Sequence, residues 1–266
     1  MDNNHSSEST TPTKKLRILC LHGYKQNGTI FKSKTAVLRK SMKDIADFVY
    51  IDAPHIVDES KGTASWWRAS KDGKEYRGWE TTIDYLRKVF INQGPFDGIL
   101  GFSQGAVLSG LMCSISSLIN DSDHHQNNNY HNHHHHNNNN NNNNMPLNFD
   151  ECFSLKFGLL FSGFQSRATI HQSLYPASSN ESSGSCESSC SSNPNYPLAK
   201  ITTPTLHVWG KADELVSATN CECLSHHFSS PNCYVHEHGH LIPTSKIDIQ
   251  NYRDFLQRFL RDCELE

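Results

Sequence analysis

The sequence has no excess of positive charge and no long apolar run. Its 24 Lys and Arg face 27 Asp and Glu, which gives a net charge of -3 with histidine neutral. No basic cluster suggests a nucleic acid or an acidic membrane as a partner. Nowhere do roughly eighteen apolar residues follow one another, so no membrane-spanning helix is expected. Residues 1–14 form a polar tail without the apolar core of a signal peptide, which predicts a cytoplasmic protein.

Disulfides and bound zinc are not indicated either. The nine cysteines are an odd number, and no neighbouring pair has the two-residue gap typical of structural zinc sites. Cys20, Cys113 and Cys233 lie within apolar runs, where a reduced thiol behaves as a small buried hydrophobe. We therefore expect reduced cysteines, no metal and no cofactor, and no partner protein can be inferred.

Two internal segments have too few apolar residues for a packed core. Residues at about 121–147 are mostly Asn and His, and residues at about 176–196 are mostly Ser, Asn and Glu. Such segments bury too little surface to offset the entropy lost on ordering, which predicts disordered low-complexity insertions. The rest of residues 15–266 fits a single domain, because α/β domains commonly exceed roughly 200 residues.

Outside the insertions, short apolar runs alternate with amphipathic stretches. The runs predicted as strands are 16–22, 48–52, 98–102, 155–163, 204–210 and 232–238. Several are apolar almost throughout, as in strands buried on both faces of a parallel sheet. Helical spacing of apolar residues is found in 83–90, 104–119 and 252–260. The pattern predicts an α/β fold, a mostly parallel central sheet with helices on both faces, whose ligands bind at the carboxyl ends of the strands.

The stretch "DGILGFSQGAV" contains the pattern G-x-S-x-G, with Ser103 between Gly101 and Gly105. A predicted strand leads into it and a helix of small residues follows, which is the setting of a nucleophile elbow. The two glycines leave room for the strand and the helix to approach closely. Ser103 is therefore predicted to be a nucleophile, although a tight turn around an ordinary serine is the structural alternative.

A nucleophilic serine of this type needs an acid and then a histidine later in the chain. Asp213 follows the predicted strand 204–210, and we prefer it to Glu214 because the turn after Gly210 has room for a short side chain. A helix N-cap is the alternative role for Asp213.

Three histidines, His236, His238 and His240, occupy every second position of "YVHEHGHLIP". On a strand they would share one face, as in half of a metal site. Gly239 is expected to end the strand, which leaves only His240 free to reach back to the serine. We predict that His240 is the base and that Asp213 fixes its tautomer.

Backbone N–H groups must stabilise the charge that develops on the substrate oxygen. Gln104, directly after the nucleophile, and Tyr24, in the loop after the first strand, are the predicted donors of this oxyanion hole. His22 in the same loop is expected to hold the loop in place.

Five side chains are candidates for a substrate pocket. Trp66 and Trp67 lie between the second predicted strand and the next helix, where they could line an apolar acyl site or pack in the core. Phe31, Phe164 and Leu241 follow the carboxyl ends of strands and are candidates for the same pocket.

Six motifs in order resemble the FSH family of serine hydrolases within the α/β-hydrolase superfamily, whose animal members are called ovarian-cancer-associated esterases. They are "LHGYKQNGTIFKSKTAVLRK", "YIDAPH", "WWR", "GPFDGILGFSQGA", "GKADELV" and "EHGHLIP". The resemblance implies an α/β-hydrolase fold and hydrolysis of carboxylic esters, with acyl-chain esters as substrates. It places Ser103, Asp213 and His240 at the triad positions. Before the base, this chain has "HGH" where family members tend to have two glycines.

The leading hypothesis is a serine esterase that works through an acyl-enzyme on a small-molecule ester. An acyl thioesterase would use the same triad. A non-catalytic α/β-hydrolase-like binding protein would not need all three triad positions filled. A metallohydrolase built on the alternating histidines would leave Ser103 in its elbow unexplained.

Overall fold

The structure is a computed structural model and describes residues 14–127, 151–176 and 200–262. Almost all of the predicted tail and most of the two predicted insertions lie outside these residues. The helix after Ser103 continues to Asn127 and so extends into the first predicted insertion, which begins at about residue 121. Extending an existing helix costs little, because each added residue forms one further hydrogen bond.

The described residues form ten strands and six α-helices. The strands are β1 Leu16–Leu21, β2 Ala46–Tyr50, β3 His55–Asp58, β4 Thr63–Ser65, β5 Arg68–Ala69, β6 Tyr76–Arg77, β7 Gly98–Phe102, β8 Phe157–Phe161, β9 Thr205–Gly210 and β10 Pro231–His236. The helices are α1 Gly28–Lys34, α2 Ala36–Ser41, α3 Trp79–Gln93, α4 Gln104–Asn127, α5 Ala218–Ser225 and α6 Lys246–Asp262.

Six strands form one fully parallel sheet in the order β10-β9-β8-β7-β1-β2. They are the six predicted strands, with bounds that shift by at most two residues. The chain moves outward from β1 to β2 and then returns to place β7 on the other side of β1. Ligands of open α/β sheets bind where the strand order reverses in this way. The carboxyl ends of β1 and β7 are therefore where the fold places a site.

Helices cover both faces of the sheet, as predicted. Leu19 and Leu21 of β1 belong to the apolar cluster that includes residues of α3 and α4. Ile18 and Cys20, which alternate with them, belong to the cluster that includes α1, α2 and α6. Successive side chains of a strand point to opposite faces, so the near-continuous apolar runs are explained by burial on both sides.

Two short hairpins between β2 and α3 were not expected from the sequence. Strand β3 pairs with β4, and β5 pairs with β6, both antiparallel. Strands this short contain too few residues for a period of two to be recognised. Trp66 and Trp67 lie between the two hairpins.

The prediction that Cys233 is buried is wrong, whereas Cys20 and Cys113 are buried as expected. Cys233 lies on β10, which pairs only with β9 at the edge of the sheet, and its side chain is exposed. An apolar run indicates a strand but does not indicate whether the strand is central or at an edge.

Within 14–127, 151–176 and 200–262, no helix combines the length and the apolar content that crossing a bilayer requires.

Helix α4 packs directly on the sheet because Gly105 has no side chain. A Cβ at this position would overlap the carbonyl oxygen of Leu21 in β1 and would come within 2.7 Å of the His22 carbonyl oxygen. Gly110, one and a half turns further along the same helix, has more space, since a Cβ there would meet a flexible Leu160 methyl group at 3.3 Å.

We expect Gly105→Ala to lower the free energy of unfolding by about 2–3 kcal/mol, because backbone atoms would have to move apart. Gly110→Ala is the matched control and should change stability by less than about 1 kcal/mol, with higher helix propensity favouring the variant. Urea unfolding of the two variants measures the difference. Equal effects of the two substitutions would contradict close packing at Gly105.

Candidate active site

Ser103 occupies the sharp turn between β7 and α4. Its backbone has a left-handed φ of 55°, a conformation that a residue with a side chain retains only where its surroundings impose it. The Ser103 N–H donates to the Phe161 carbonyl at 2.9 Å, and its own carbonyl accepts from the N–H groups of Ala106 and Val107. The side chain is half-buried. This is the geometry that the G-x-S-x-G pattern predicts.

Asp213 and His240 form a partly buried hydrogen-bonded pair. His240 Nδ1 lies 2.7 Å from Asp213 Oδ2, and the aspartate side chain is fully buried. An ionised carboxylate can only accept, so Nδ1 of His240 carries a proton, and in the neutral imidazole Nε2 is the acceptor. Asp213 Oδ1 accepts from the N–H groups of Leu215 at 3.0 Å and Val216 at 2.9 Å. The carboxylate is thus fixed by its own loop and orients the imidazole.

The surroundings of Asp213 favour its ionised form. Burial by itself raises the pKa of Asp213, but the N–H of Val216, the imidazole of His240 and the hydroxyl of Ser162 together outweigh burial, and the pKa is lowered. Glu214, the neighbouring candidate, is exposed. The structure therefore pairs His240 with Asp213 rather than with Glu214.

The loop that carries His240 lies directly on the end of β9. A Cβ on Gly210 would overlap the carbonyl oxygen of His238 and would lie 2.8 Å from that of Gly239, so the absence of a side chain allows this approach. The Tyr252 hydroxyl of α6 holds the other end of the loop by donating to the Pro243 carbonyl at 3.0 Å.

The imidazole of His240 packs against Phe102, the residue before the nucleophile, with ring centroids 4.7 Å apart. The structure thus brings the predicted base next to the turn that carries Ser103. Among the described residues, no hydrogen bond joins the Ser103 hydroxyl to His240. Catalytic hydrogen bonds are often long before substrate binds and tighten in the reacting complex.

The three alternating histidines do not share a strand. Strand β10 ends at His236, two residues earlier than predicted. His236 is buried and its Nδ1 accepts from the His238 N–H at 3.2 Å, whereas His238 is exposed. Over the part of the chain that the structure describes, no group of three or more His, Cys, Asp or Glu side chains is arranged to hold a metal ion.

The loop after β1 lies beside the nucleophile. A Cβ on Gly23 would be 3.4 Å from the Cβ of Ser103. The backbone N–H groups of Tyr24 and Gln104 have no acceptor within the described residues, as donors of an oxyanion hole require. The side chain of Gln104 has a different task, since it accepts from the Trp66 N–H and donates to the Trp67 carbonyl, both at 3.0 Å.

His22 holds this loop in place. Its Nδ1 donates to the Gly23 carbonyl at 2.8 Å, and its Nε2 accepts from the Ala53 N–H at 3.0 Å. Burial lowers the pKa of His22, although the bond to Gly23 and the charge of Asp52 oppose this. Both ring nitrogens are occupied, so His22 is not available as a second base.

The structure divides the five predicted pocket residues. Phe31, Trp66 and Trp67 are at most 2% exposed, and the ring of Trp67 stacks on Tyr76 with centroids 4.6 Å apart. These three side chains contact the protein interior in this structure. Phe164 is partly buried, and Leu241, next to His240, is 43% exposed. The acyl-pocket prediction thus depends mainly on Phe164 and Leu241.

Ser162 also contributes to the site, and sequence reasoning missed it. It follows β8, its φ is 49°, and it is almost fully buried. The only signal in the sequence was its place after an apolar strand and before a glycine, in "LLFSGF". That pattern indicates a turn but no chemistry.

Comparisons with known proteins identify similar families and folds. The family model described as "Serine hydrolase (FSH1)" matches residues 10–252. "Esterase OVCA2" from Danio rerio is 30% identical over 271 residues, which cover 92% of this chain and 97% of that protein.

Solved structures with the same architecture include esterase PE8, with a TM-score of 0.53 at 18% identity over 92% of this chain and 93% of that one. The acyl-protein thioesterase 2 of Zea mays has a TM-score of 0.53 at 18% identity, over 93% of this chain and 95% of that one. These likenesses show that the fold is that of the α/β-hydrolases.

The lowered pKa of Asp213 predicts how stability depends on pH. A carboxyl whose pKa is lower in the folded state stabilises the fold above its unfolded pKa, near 4, and this contribution is lost as the pH falls. Between about pH 6 and pH 3, the free energy of unfolding should therefore fall more steeply in the wild type than in Asp213→Asn. Denaturant unfolding at several pH values measures both slopes.

Glu214→Gln is the matched control, because it removes an exposed carboxylate at the adjacent position. Its slope should equal that of the wild type. Parallel curves for the wild type and Asp213→Asn would mean that folding does not favour the ionised form of Asp213.

Proposed function

The chain belongs to the FSH1 family of serine hydrolases, and from this membership and the site geometry we propose that it hydrolyses carboxylic esters of acyl chains. Ser103 is the nucleophile, His240 the general base and acid, and Asp213 the acid that orients the imidazole. The reaction proceeds through an acyl-enzyme. The observation that carries the proposal is the Asp213–His240 pair at 2.7 Å, packed against the residue that precedes the left-handed Ser103.

In the first half of the reaction, the Ser103 oxygen attacks the ester carbonyl carbon while His240 Nε2 takes the serine proton. The negative charge that develops on the carbonyl oxygen is stabilised by the N–H groups of Tyr24 and Gln104. The bond to the alcohol oxygen then breaks, and Nε2 gives its proton to the leaving alcohol. The acyl group remains on Ser103 as an ester.

In the second half, water attacks the acyl carbon and gives a proton to Nε2. The bond to Ser103 breaks, Nε2 returns the proton to the serine oxygen, and the carboxylic acid leaves. Asp213 remains ionised throughout and stabilises the imidazolium that forms in each half. Its lowered pKa suits this role.

A fluorophosphonate probe tests the nucleophile. The wild type should be labelled at one residue, Ser103, and Ser103→Ala should lose both the label and at least about 1,000-fold of ester hydrolysis, because the covalent step is removed. Mass spectrometry locates the adduct. Continued hydrolysis by Ser103→Ala at the wild-type rate would overturn the proposed function.

Substitutions of His240 and His238, two histidines of the same motif, form a matched pair that tests the proposed base. His240→Ala should lose about 1,000-fold or more in kcat/KM, whereas His238→Ala should stay within about twofold. A metal-dependent hydrolase would instead lose activity in both variants and on treatment with a chelator. Steady-state kinetics with and without EDTA separate the two outcomes.

The triad does not distinguish an oxygen from a sulfur leaving group, so an acyl thioesterase remains the alternative substrate class. A panel of p-nitrophenyl esters and matched acyl thioesters of increasing chain length decides between them. We expect higher kcat/KM for the esters.

A further inference from the structure

Three non-glycine residues of the described chain have a left-handed backbone, and all three lie at the carboxyl edge of the sheet. They are Lys25 with φ 57°, Ser103 with φ 55° and Ser162 with φ 49°. Lys25 follows the predicted oxyanion donor Tyr24, and Ser103 is the nucleophile. Strained backbone of this kind clusters at active sites. Ser162 is the left-handed residue that has no role in the proposed reaction steps.

Ser162 lies between the nucleophile and the strand that leads to the acid. Its N–H donates to the Val208 carbonyl of β9 at 2.8 Å, and the carbonyl of the preceding Phe161 accepts from the Ser103 N–H at 2.9 Å. The next residue, Gly163, packs against α4, where a Cβ would be 3.1 Å from Ala106. The surroundings thus fix the Ser162 backbone from both neighbouring strands.

The hydroxyl of Ser162 is buried and unpaired. The residue is 1% exposed, and its Oγ has no hydrogen-bond partner among the described residues. A buried hydroxyl without a partner is unfavourable and calls for an explanation. The ionised group within its reach is Asp213: against the opposing effect of burial, the Ser162 hydroxyl acts with Val216 and His240 to lower the pKa of that carboxyl.

The Asp213 carboxylate has room for one more donor. Oδ1 accepts from two backbone N–H groups, whereas Oδ2 accepts from His240 alone among the described residues. Each carboxylate oxygen can accept two hydrogen bonds. A Ser162 rotamer that donates to Asp213 would satisfy both its own hydroxyl and the open position on the carboxylate.

We propose that Ser162 is a positioning residue of the catalytic triad, whose hydroxyl donates to the Asp213 carboxylate while His240 carries the proton taken from Ser103. The donor keeps the carboxylate in the plane that holds Nδ1 of His240 in line, so that Nε2 stays directed at the reacting groups. This inference rests on the proposed triad mechanism and adds a fourth residue to it.

Among the described residues, three titratable groups face Asp213. His240 is paired with it, His236 approaches from β10, and Cys221 approaches from α5. Burial lowers the pKa of His236, and burial together with the charge of Asp213 raises the pKa of Cys221 to about 12. Neither group is charged at neutral pH, so the acidic limb of the rate profile reports the Asp213–His240 pair.

Two substitutions separate the effect of the Ser162 hydroxyl from the effect of the backbone strain. Ser162→Ala removes the hydroxyl and keeps a side chain in the left-handed conformation, whereas Ser162→Gly removes the hydroxyl and the strain together. In both variants we expect kcat for ester hydrolysis to fall about tenfold with KM nearly unchanged. Without the donor the carboxylate is more basic, so the acidic limb of kcat/KM should move to higher pH.

Ser109→Ala is the matched control, because Ser109 of α4 is also buried with an unpaired hydroxyl but does not influence the pKa of Asp213. It should keep the wild-type kcat and pH profile. Rates are expressed per active site titrated with the fluorophosphonate, and melting temperatures are measured for all three variants.

Wild-type kcat and pH profiles in Ser162→Ala and Ser162→Gly would overturn the inference. So would a lower melting temperature with kcat per titrated site unchanged, because that result assigns Ser162 a structural role only. Either result leaves the proposed function intact if Ser103→Ala is inactive. Activity in Ser103→Ala would instead remove the function on which the inference rests.

Discussion

The hydrogen bond between Asp213 and His240 is the interaction on which the proposed site depends, because it joins the side chains of the loops that follow β9 and β10. The loop after β9 fixes the carboxylate through its own N–H groups, and the loop after β10 lies on the bare backbone of Gly210. With the aspartate side chain fully buried, the imidazole has only one orientation that satisfies its Nδ1 proton. The direction of the catalytic base therefore follows from the packing of the loops rather than from the strand that precedes it.

Backbone strain is the second constraint, and in the described residues the left-handed non-glycine residues lie at the proposed site. The left-handed Ser103 is held by hydrogen bonds to β8 on one side and to the first turn of α4 on the other. Close packing of α4 on β1, which Gly105 permits, leaves the turn no room to relax. Ser162, which follows the neighbouring strand β8, is also left-handed, and its N–H donates to the Val208 carbonyl of β9. The sheet thus supplies the rigid frame that keeps the two strained residues in place.

The loop after β1, which carries the proposed oxyanion donor Tyr24, is held by hydrogen bonds to the tryptophan segment. His22 and Gln104 link this loop to the tryptophan segment. The Trp66 indole donates to the His22 carbonyl. The side-chain amide of Gln104 accepts from the Trp66 N–H and donates to the Trp67 carbonyl. Trp67 continues this packing towards α3. The two tryptophans, which the sequence offered as pocket or core residues, are core residues that support the loop. For the proposed substrates, this leaves Phe164 and Leu241 as the candidate pocket residues that are not fully buried.

The sequence by itself determined the parallel sheet and predicted the elbow at Ser103 and the order of acid and base, because apolar runs, glycine spacing and chain order are local or one-dimensional properties. It did not determine that β10 lies at the edge and ends at His236, or that Cys233 is therefore exposed. Nor did it indicate that the Ser162 hydroxyl is buried within reach of Asp213. Those features depend on which strands become neighbours and how loops pack over their ends, and residues distant in the chain decide this only when the tertiary structure forms.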